Sequence, residues 1–141
     1  MNIMARRRGR TALIAAIALF AFSGLAPLSA ATMTVVNLDG PGEGFNDPAP
    51  FTPVGGNSAS TLGQARRNAL QYAADLVGGL LTSSVPIRIE ANMDPLSGGP
   101  SSAILASAGA DTYFRDFSGA PVANTWYAVA LANKLSGVDL D

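Results

Sequence analysis

The side chains that most often carry out catalysis are missing from this sequence. Its 141 residues include no histidine and no cysteine. This composition excludes Ser-His-Asp and Cys-His nucleophilic sites, histidine-ligated catalytic zinc and thiol redox chemistry within the chain. No glycine-rich segment ends in Lys-Ser or Lys-Thr, so the phosphate-loop pattern is also missing. We therefore predict no catalytic, cofactor-binding or metal-ligating residue in this chain.

Acidic residues are the remaining candidates for chemistry. Two carboxyl groups can hydrolyse a glycoside when they lie about 5 to 10 Å apart in a cleft. Calcium binding is another alternative, because carboxylate and amide oxygens recur at short spacing in the Gly- and Pro-rich loop at 39–53. Its candidate ligands are Asp39, Glu43 and Asp47. The alternative interpretation of this loop is a turn-rich connection. The carboxylate pairs are Asp39 with Asp47, Asp94 with Asp111, and Asp116 with Asp139.

The amino terminus has the pattern of a secretory signal peptide. Arginines precede an uncharged apolar run and then a segment of small residues. Ser29 and Ala31 fit the positions that signal peptidase reads, which places cleavage before Thr32, with a cut at Ala30 as the alternative. The apolar run is shorter than the ~20 residues that a membrane anchor needs. We predict a signal peptide at 1–31 and a secreted or periplasmic protein, exported by the general secretory route, with twin-arginine export as the alternative.

The charge balance changes when the signal peptide is removed. The whole chain has nine basic and ten acidic residues, and the signal peptide carries four of the basic residues and none of the acidic ones. Five basic residues against ten acidic ones leave a net charge of −5. An acidic surface repels phosphate backbones, so we predict no nucleic-acid partner and no membrane association after cleavage.

The strongest periodic pattern in the chain predicts an amphipathic helix. Thr61 and Gln64 fit a capping box at its start, with Ser60 as the alternative cap. Apolar residues then recur every three or four positions, which predicts one buried stripe. Arg66 and Arg67 fall on the side predicted to face solvent. The predicted stripe consists of Leu62, Ala65, Ala69, Tyr72, Ala73, Leu76 and Leu80.

Two predicted strands flank this helix. The segment at 32–38 is rich in β-branched residues and apolar on both faces, which predicts a strand inside a sheet. The segment at 85–93 alternates apolar and polar residues, so one face is predicted to be buried. A right-handed crossover onto a shared sheet is the default topology for this order. Shorter strands are predicted at 103–106 and 112–117. The predicted buried face of the second strand is Val85, Ile87, Ile89, Ala91 and Met93.

A second helix is predicted at 125–136. Asn124 is its predicted N-cap, Gly137 its left-handed terminator, and Lys134 lies near the negative end of the helix dipole. This helix is apolar around much of its circumference, so burying its side chains needs more surrounding residues than the rest of the chain readily provides. The predicted fold class is α/β or α+β, with two helices on a small mixed sheet in a single partial domain at 32–141.

Four segments of the chain carry a family resemblance, namely TVVNLDGPGEGFNDP, TLGQARRNALQYAADLVGGLL, VPIRIEANMDPL and NTWYAVALANKLSGVDLD. In order and spacing, over about 34–141, they resemble the amino-terminal part of secreted bacterial zincin-like metallopeptidases, which often carry a protease-associated domain insert. The resemblance implies the upper subdomain of a zincin, which also begins strand, helix, strand. The family's zinc helix, with its His-Glu-x-x-His pattern, lies further along, so its catalytic residues have no matching positions here.

The resemblance implies an exported amino-terminal fragment of a zinc metallopeptidase that is inactive alone. The helix terminator is followed closely by the last three residues, Asp139, Leu140 and Asp141. We interpret this abrupt ending as that of a truncated gene product. Zinc is implied only for the full-length family, and the expected partner is the missing carboxy-terminal part of the domain. The alternative is a non-enzymatic secreted binding or surface module, whose Gly- and Pro-rich loops supply the contact surface.

Overall fold

The computed structural model describes residues 29–141. The signal-peptide prediction falls mainly on residues 1–28, which lie outside the described residues. The described chain is a mixed α/β structure with two α-helices, which confirms the predicted fold class. Its elements in chain order are β1 (Met33–Asn37), α1 (Leu62–Gly78), β2 (Ile87–Ala91), β3 (Gly98–Gly99), β4 (Ser102–Ala103), β5 (Tyr113–Phe114), β6 (Tyr127–Ala128) and α2 (Val129–Ser136).

The strands of the described chain pair as three separate two-stranded sheets. β1 and β2 are parallel, with Val35 opposite Ile89, and α1 connects them. The predicted strand–helix–strand order is therefore confirmed. β3 pairs with β4 and β5 with β6, both antiparallel. The prediction that the first strand lies inside a sheet is wrong, because β1 has β2 as its one strand neighbour.

The alternating pattern of β2 is confirmed over the strand itself. Ile87 and Ile89 are half-buried, whereas Arg88 and Glu90 between them are exposed. Met93 was predicted to continue the buried face but is 48% exposed, because the strand ends two residues earlier and the chain turns away.

Helix α1 begins and ends close to where its sequence predicts. The hydroxyl group of Thr61 accepts a hydrogen bond from the backbone N–H of Gln64 at 3.3 Å. The Gln64 side chain reaches back to the backbone N–H of Ser60 at 3.2 Å, which completes a capping box. The helix ends at Gly78, and Gly79 caps it with right-handed backbone angles.

The side of α1 that packs against the rest of the chain is not the predicted stripe. Tyr72, Leu76 and Leu80 are 66%, 57% and 86% exposed, so the prediction that they are buried is wrong. Leu62 is half-buried and Ala65 is buried. The main apolar side chains of the helix therefore point away from the described sheet.

Small residues explain this orientation of α1. Gly63, Ala74 and Gly78 are its buried contact points. A Cβ atom on Gly63 would lie 2.5 Å from the carbonyl oxygen of Phe45, and one on Gly78 would lie 2.5 Å from that of Ala31. The helix backbone approaches the loop after β1 and the segment before β1 too closely for larger side chains at these positions. Leucines therefore cannot occupy this face.

Arg66 faces the loop after β1 and not solvent, which corrects its predicted placement. Its Nη1 donates to the carbonyl oxygen of Gly44 at 2.8 Å and lies 3.3 Å from a carboxylate oxygen of Asp47. Both charged side chains are about two-thirds or more buried, so this ion pair ties the loop to the helix. Arg67 is exposed, as predicted.

The described core is small and consists largely of alanine. Phe45 and Val85 are its larger buried side chains, at 3% and 7% exposure. None of the large side chains in the described part of the chain is completely buried. The remaining buried apolar residues are Ala31, Ala59, Ala65, Ala74 and Ala132.

The carboxy-terminal part differs from its prediction in the position of its elements. The strand predicted at 103–106 is the short β4, and that predicted at 112–117 is confined to β5. Helix α2 begins at Val129 because the two residues before it pair with β5. Asn124 is not the helix cap: it has a positive φ of 57°. Gly137 does terminate the helix, with a left-handed φ of 74°.

Candidate functional site

Asp39 holds the loop after β1 in place. One of its carboxylate oxygens accepts a hydrogen bond from the backbone N–H of Phe45 at 2.5 Å. The other accepts from the backbone N–H of Met93 at 2.9 Å, just beyond the end of β2. The two bonds join the loop to the carboxyl end of the parallel sheet, so this carboxylate acts as a structural bridge.

Two asparagines complete the fixation of this loop. The side-chain amide of Asn37 donates to Oδ1 of Asn46 at 2.8 Å, and its own Oδ1 accepts from the N–H of Asp39 at 2.9 Å. The amide of Asn46 donates to the carbonyl oxygens of Asp39 and Gly40 at 2.8 and 3.0 Å. The side-chain oxygens that resembled calcium ligands are thus used by the loop itself.

The other two candidate calcium ligands also bond within the chain. Glu43 accepts from the N–H of Gly40 at 3.0 Å. Asp47 accepts from the N–H of Ala49 at 2.9 Å and pairs with Arg66 through its other oxygen. Within residues 29–141 there is no group of three or more His, Cys, Asp or Glu side chains arranged to hold a metal ion. The loop geometry therefore favours the alternative to calcium binding, which is a turn-rich connection.

A groove runs between β2 and α2 and has a volume of about 260 Å³. It brings together Asp111 and Asp139, one member from each of two predicted carboxylate pairs, whereas their predicted mates Asp94 and Asp116 do not line it. The groove is therefore acidic, but its carboxylates are not the predicted pairs. The residues that line it are Pro86, Ile87, Arg88, Glu90, Asp111, Val129, Ala130, Asn133, Asp139 and Asp141.

Asn133 organises the acidic end of this groove. Its side chain is buried, and its amide donates to a carboxylate oxygen of Asp139 and to one of Asp141, each at 3.0 Å. Its Oδ1 accepts from the backbone N–H of Leu140 at 3.0 Å. The hydrogen bond from Asn133 lowers the pKa of Asp141, and the positive charge of Arg88 lowers it further.

These two carboxyl groups lie close together, but the environment of Asp141 does not suit an acid catalyst. Glycoside hydrolysis needs one carboxyl group with a raised pKa to protonate the leaving oxygen. The pKa of the exposed Asp141 is lowered, so this group is an anion at neutral pH. The geometry therefore gives the glycosidase alternative no support.

A second cavity, of about 510 Å³, lies between the loop at 55–58 and α1. Asn57 anchors this loop by donating from its amide to the carbonyl oxygen of Ala65 at 2.8 Å. The exposed Tyr72 and the uncharged side chain of Asn68 line the helix side. The cavity offers amide groups and an aromatic ring, but no charged side chain, to a ligand.

Comparison with known proteins leaves the family open. The chain matches no protein-family model, no curated protein and no solved structure. The resemblance to zincin-like metallopeptidases stays a prediction. Among the described residues, neither helix is long and apolar enough to cross a membrane.

Proposed function

We propose that the chain is the exported, non-catalytic amino-terminal part of a zincin-like zinc metallopeptidase. Its role is to provide the strand–helix–strand scaffold against which the zinc-binding part of such a domain packs. The observation that carries the proposal is the orientation of α1. This helix packs through small residues against β1 and the segments that flank it, while Tyr72 and Leu76 remain exposed on its other side and Leu80 is exposed just beyond its end.

A helix with one close-packed face and one exposed apolar face fits a larger layered domain. Burial of a leucine side chain contributes roughly 2 kcal/mol to the free energy of unfolding, and the exposed Leu76 and Leu80 do not make this contribution. Contiguous exposed apolar side chains commonly mark a surface that another element covers. In the proposed domain, the covering element belongs to the remaining part of the peptidase.

The parallel sheet supports the same proposal. Parallel strands usually occur in sheets of about four to six strands with both faces covered. Here β1 and β2 form a sheet of two strands over a core made mainly of alanine. Such a small parallel sheet is better suited to be one part of a larger sheet than to stand alone.

The zinc ion implied by the resemblance does not fit the residues of this chain. Catalytic zinc is bound mainly by histidine, with cysteine, aspartate or glutamate as further ligands. The sequence contains no histidine or cysteine, and the carboxylates of the loop after β1 bond to backbone N–H groups. We therefore assign the zinc and the hydrolytic step to the part of the family that lies beyond these residues.

Metal analysis of the purified chain tests this proposal. Dialysis against zinc followed by elemental analysis is expected to find no stoichiometric zinc, and incubation with an unfolded protein substrate is expected to show no cleavage. Tight zinc binding in a one-to-one ratio, or proteolysis that a chelator stops, would overturn the proposal. A triple variant with Asp39→Asn, Glu43→Gln and Asp47→Asn is the control that identifies any metal held by the loop carboxylates.

One observation favours the second candidate, a non-enzymatic exported binding or surface module. The cavity beside Tyr72 combines a Gly-rich loop with an exposed aromatic ring and amide side chains. Loops of this kind often form contact surfaces. A screen of neutral ligands by protein-observed NMR separates the two candidates, because a module predicts specific shifts at Tyr72 and Asn68, whereas the scaffold role predicts none.

A further inference from the structure

The outer edge of β2 has unpaired backbone groups. The N–H of Ile87 donates to the carbonyl oxygen of Thr32 at 2.8 Å, which fixes the register of the parallel ladder. In such a ladder every second residue of a strand bonds to the same neighbour. The N–H and C=O groups of Arg88 and Glu90 therefore point away from β1. They have no hydrogen-bond partner among the described residues.

The corresponding edge of β1 is partly closed by α1. The side-chain amide of Gln71 accepts from the N–H of Val35 at 3.0 Å and donates to the carbonyl oxygen of Met33 at 2.8 Å. The amide thereby imitates an adjacent strand at these two groups. Since this protection is given to β1 and not to β2, the edge of β2 is the one that remains available for pairing.

The groove between β2 and α2 lies along this available edge. Ile87, Arg88 and Glu90 of β2 line one wall, and α2 forms an apolar part of the opposite wall with Val129 and Ala130. An additional strand needs about 5 Å of width beside its neighbour. A second copy of this chain would have to bring its own two-stranded sheet, roughly 10 Å wide, against the same wall. Because α2 closes the groove on the side opposite β2, the groove suits a single extended segment better than the two-stranded sheet of a second copy.

The charges along the groove indicate which side chains such a segment carries. Arg88 is the one cation among the lining residues. Four carboxylates line the groove with it, and one of them, Glu90, pairs with Arg88 at 3.3 Å. The other three leave an excess of negative charge that basic side chains complement. The four carboxylates belong to Glu90, Asp111, Asp139 and Asp141.

We propose that the groove between β2 and α2 binds an extended segment of another protein that carries lysine or arginine side chains and pairs with the edge of β2 as an added strand. Backbone hydrogen bonds to Arg88 and Glu90 provide affinity, and the carboxylates select basic side chains. This interaction uses the same edge that a larger sheet of the proposed metallopeptidase would extend, so it belongs to the chain without that further part, and peptide binding and zinc analysis test the two proposals separately.

Peptide binding by the full chain tests this proposal. The probe is a fluorescent peptide of about eight residues that alternates lysine and valine, which is long enough to match a typical strand. Fluorescence anisotropy is expected to show saturable binding at least about tenfold tighter than that of a matched glutamate–valine peptide. N-methylation of alternate backbone nitrogens is expected to weaken binding by at least about tenfold in one of the two possible registers and much less in the other.

Two variants of the chain locate the binding site. Glu90→Pro removes an outward N–H without touching the β1–β2 ladder and is expected to abolish binding. Glu90→Gln retains the N–H but loses one of the four carboxylates, so it is expected to weaken binding only severalfold. Circular dichroism verifies that both variants keep their helices. The N-methylated peptides test strand pairing on the unaltered chain even if Glu90→Pro fails to fold.

Three results would overturn the proposal. No saturable binding up to about 1 mM peptide would show that the edge does not accept a strand. Binding that is insensitive to N-methylation in both registers would show ionic adsorption alone. Concentration-dependent dimerisation that Glu90→Pro abolishes and that excludes the peptide would identify a second copy as the occupant.

Discussion

Two adjacent glycines at the end of α1 give opposite predictions for the same substitution. An alanine Cβ at Gly78 would lie 2.5 Å from the carbonyl oxygen of Ala31 and 3.3 Å from Cγ of Met33. The Ala31 backbone cannot easily move away, because its N–H donates to the carbonyl oxygens of Gly78 and Leu81 at 3.1 and 3.0 Å. At Gly79 the nearest atoms lie 3.5 Å away, and the backbone is right-handed with a φ of −62°.

These distances set the expected changes in the free energy of unfolding. Gly78→Ala gains about 1 kcal/mol of helix propensity but incurs overpacking against backbone atoms of about 3 kcal/mol, so we expect a net loss of about 2 kcal/mol. Gly79→Ala meets no such atom and is expected to gain about 0.5 kcal/mol by restricting the unfolded chain.

Urea unfolding of a chain that retains Ala31, followed by circular dichroism of the helices, measures both changes. Gly78→Ala is expected to lower the urea midpoint by about 1 M, whereas Gly79→Ala is expected to raise it slightly. If both variants raise the midpoint, α1 does not approach Ala31 closely, and small residues do not decide which face of α1 packs.

Three further predictions concern the loop, the acidic tail and the amino terminus. Asp39→Ala leaves two backbone N–H groups without a partner and is expected to lower the free energy of unfolding by about 2–4 kcal/mol in urea denaturation; a change below about 0.5 kcal/mol would contradict its bridging role. Because the pKa of Asp141 is lowered in the folded chain, its stabilising contribution is present above about pH 4 and is lost as the pH falls through the folded value. An NMR titration is expected to show a low midpoint that Asn133→Ala raises; an unchanged midpoint would rule out the hydrogen bond as the cause. Ala31 is buried and its N–H bonds to the end of α1, so a chain that starts at Thr32 is expected to have a lower urea midpoint than one that starts at Ala31; equal midpoints would contradict the packing of Ala31.

Local patterns predicted the elements of α1 and β2 well because their causes are local. A hydroxyl group and a glutamine three residues apart satisfy the first N–H groups of a helix wherever it packs. The alternation in β2 follows from the pleat of the strand itself, in which successive side chains point to opposite faces. Both features depend little on distant parts of the chain.

The packed face of α1 was not predictable from its periodicity. The pattern locates an apolar stripe but does not tell whether another element covers that stripe or the opposite side. Gly63, Ala74 and Gly78 recur on the opposite side, and this spacing of small residues is the signal in the sequence that could have revealed a close backbone approach. Gln71 also lies on the side opposite the apolar stripe and bonds to β1.

The groove between β2 and α2 could not be predicted from the sequence at all. Glu90 and Asp141 are far apart in the chain, and no short motif links them. Asn124 misled the prediction of α2, because asparagine favours helix caps but also tolerates the positive φ that it adopts here. The pairing of β5 with β6 delays the helix start, and only tertiary contacts reveal that pairing.

The most direct test of the proposed scaffold role is to sequence the genomic DNA beyond the codon for Asp141. The proposed scaffold role predicts a reading frame close by that encodes a His-Glu-x-x-His motif, which would supply the zinc-binding part of the domain. A long non-coding region without such a frame would contradict the metallopeptidase relationship and favour the exported binding module.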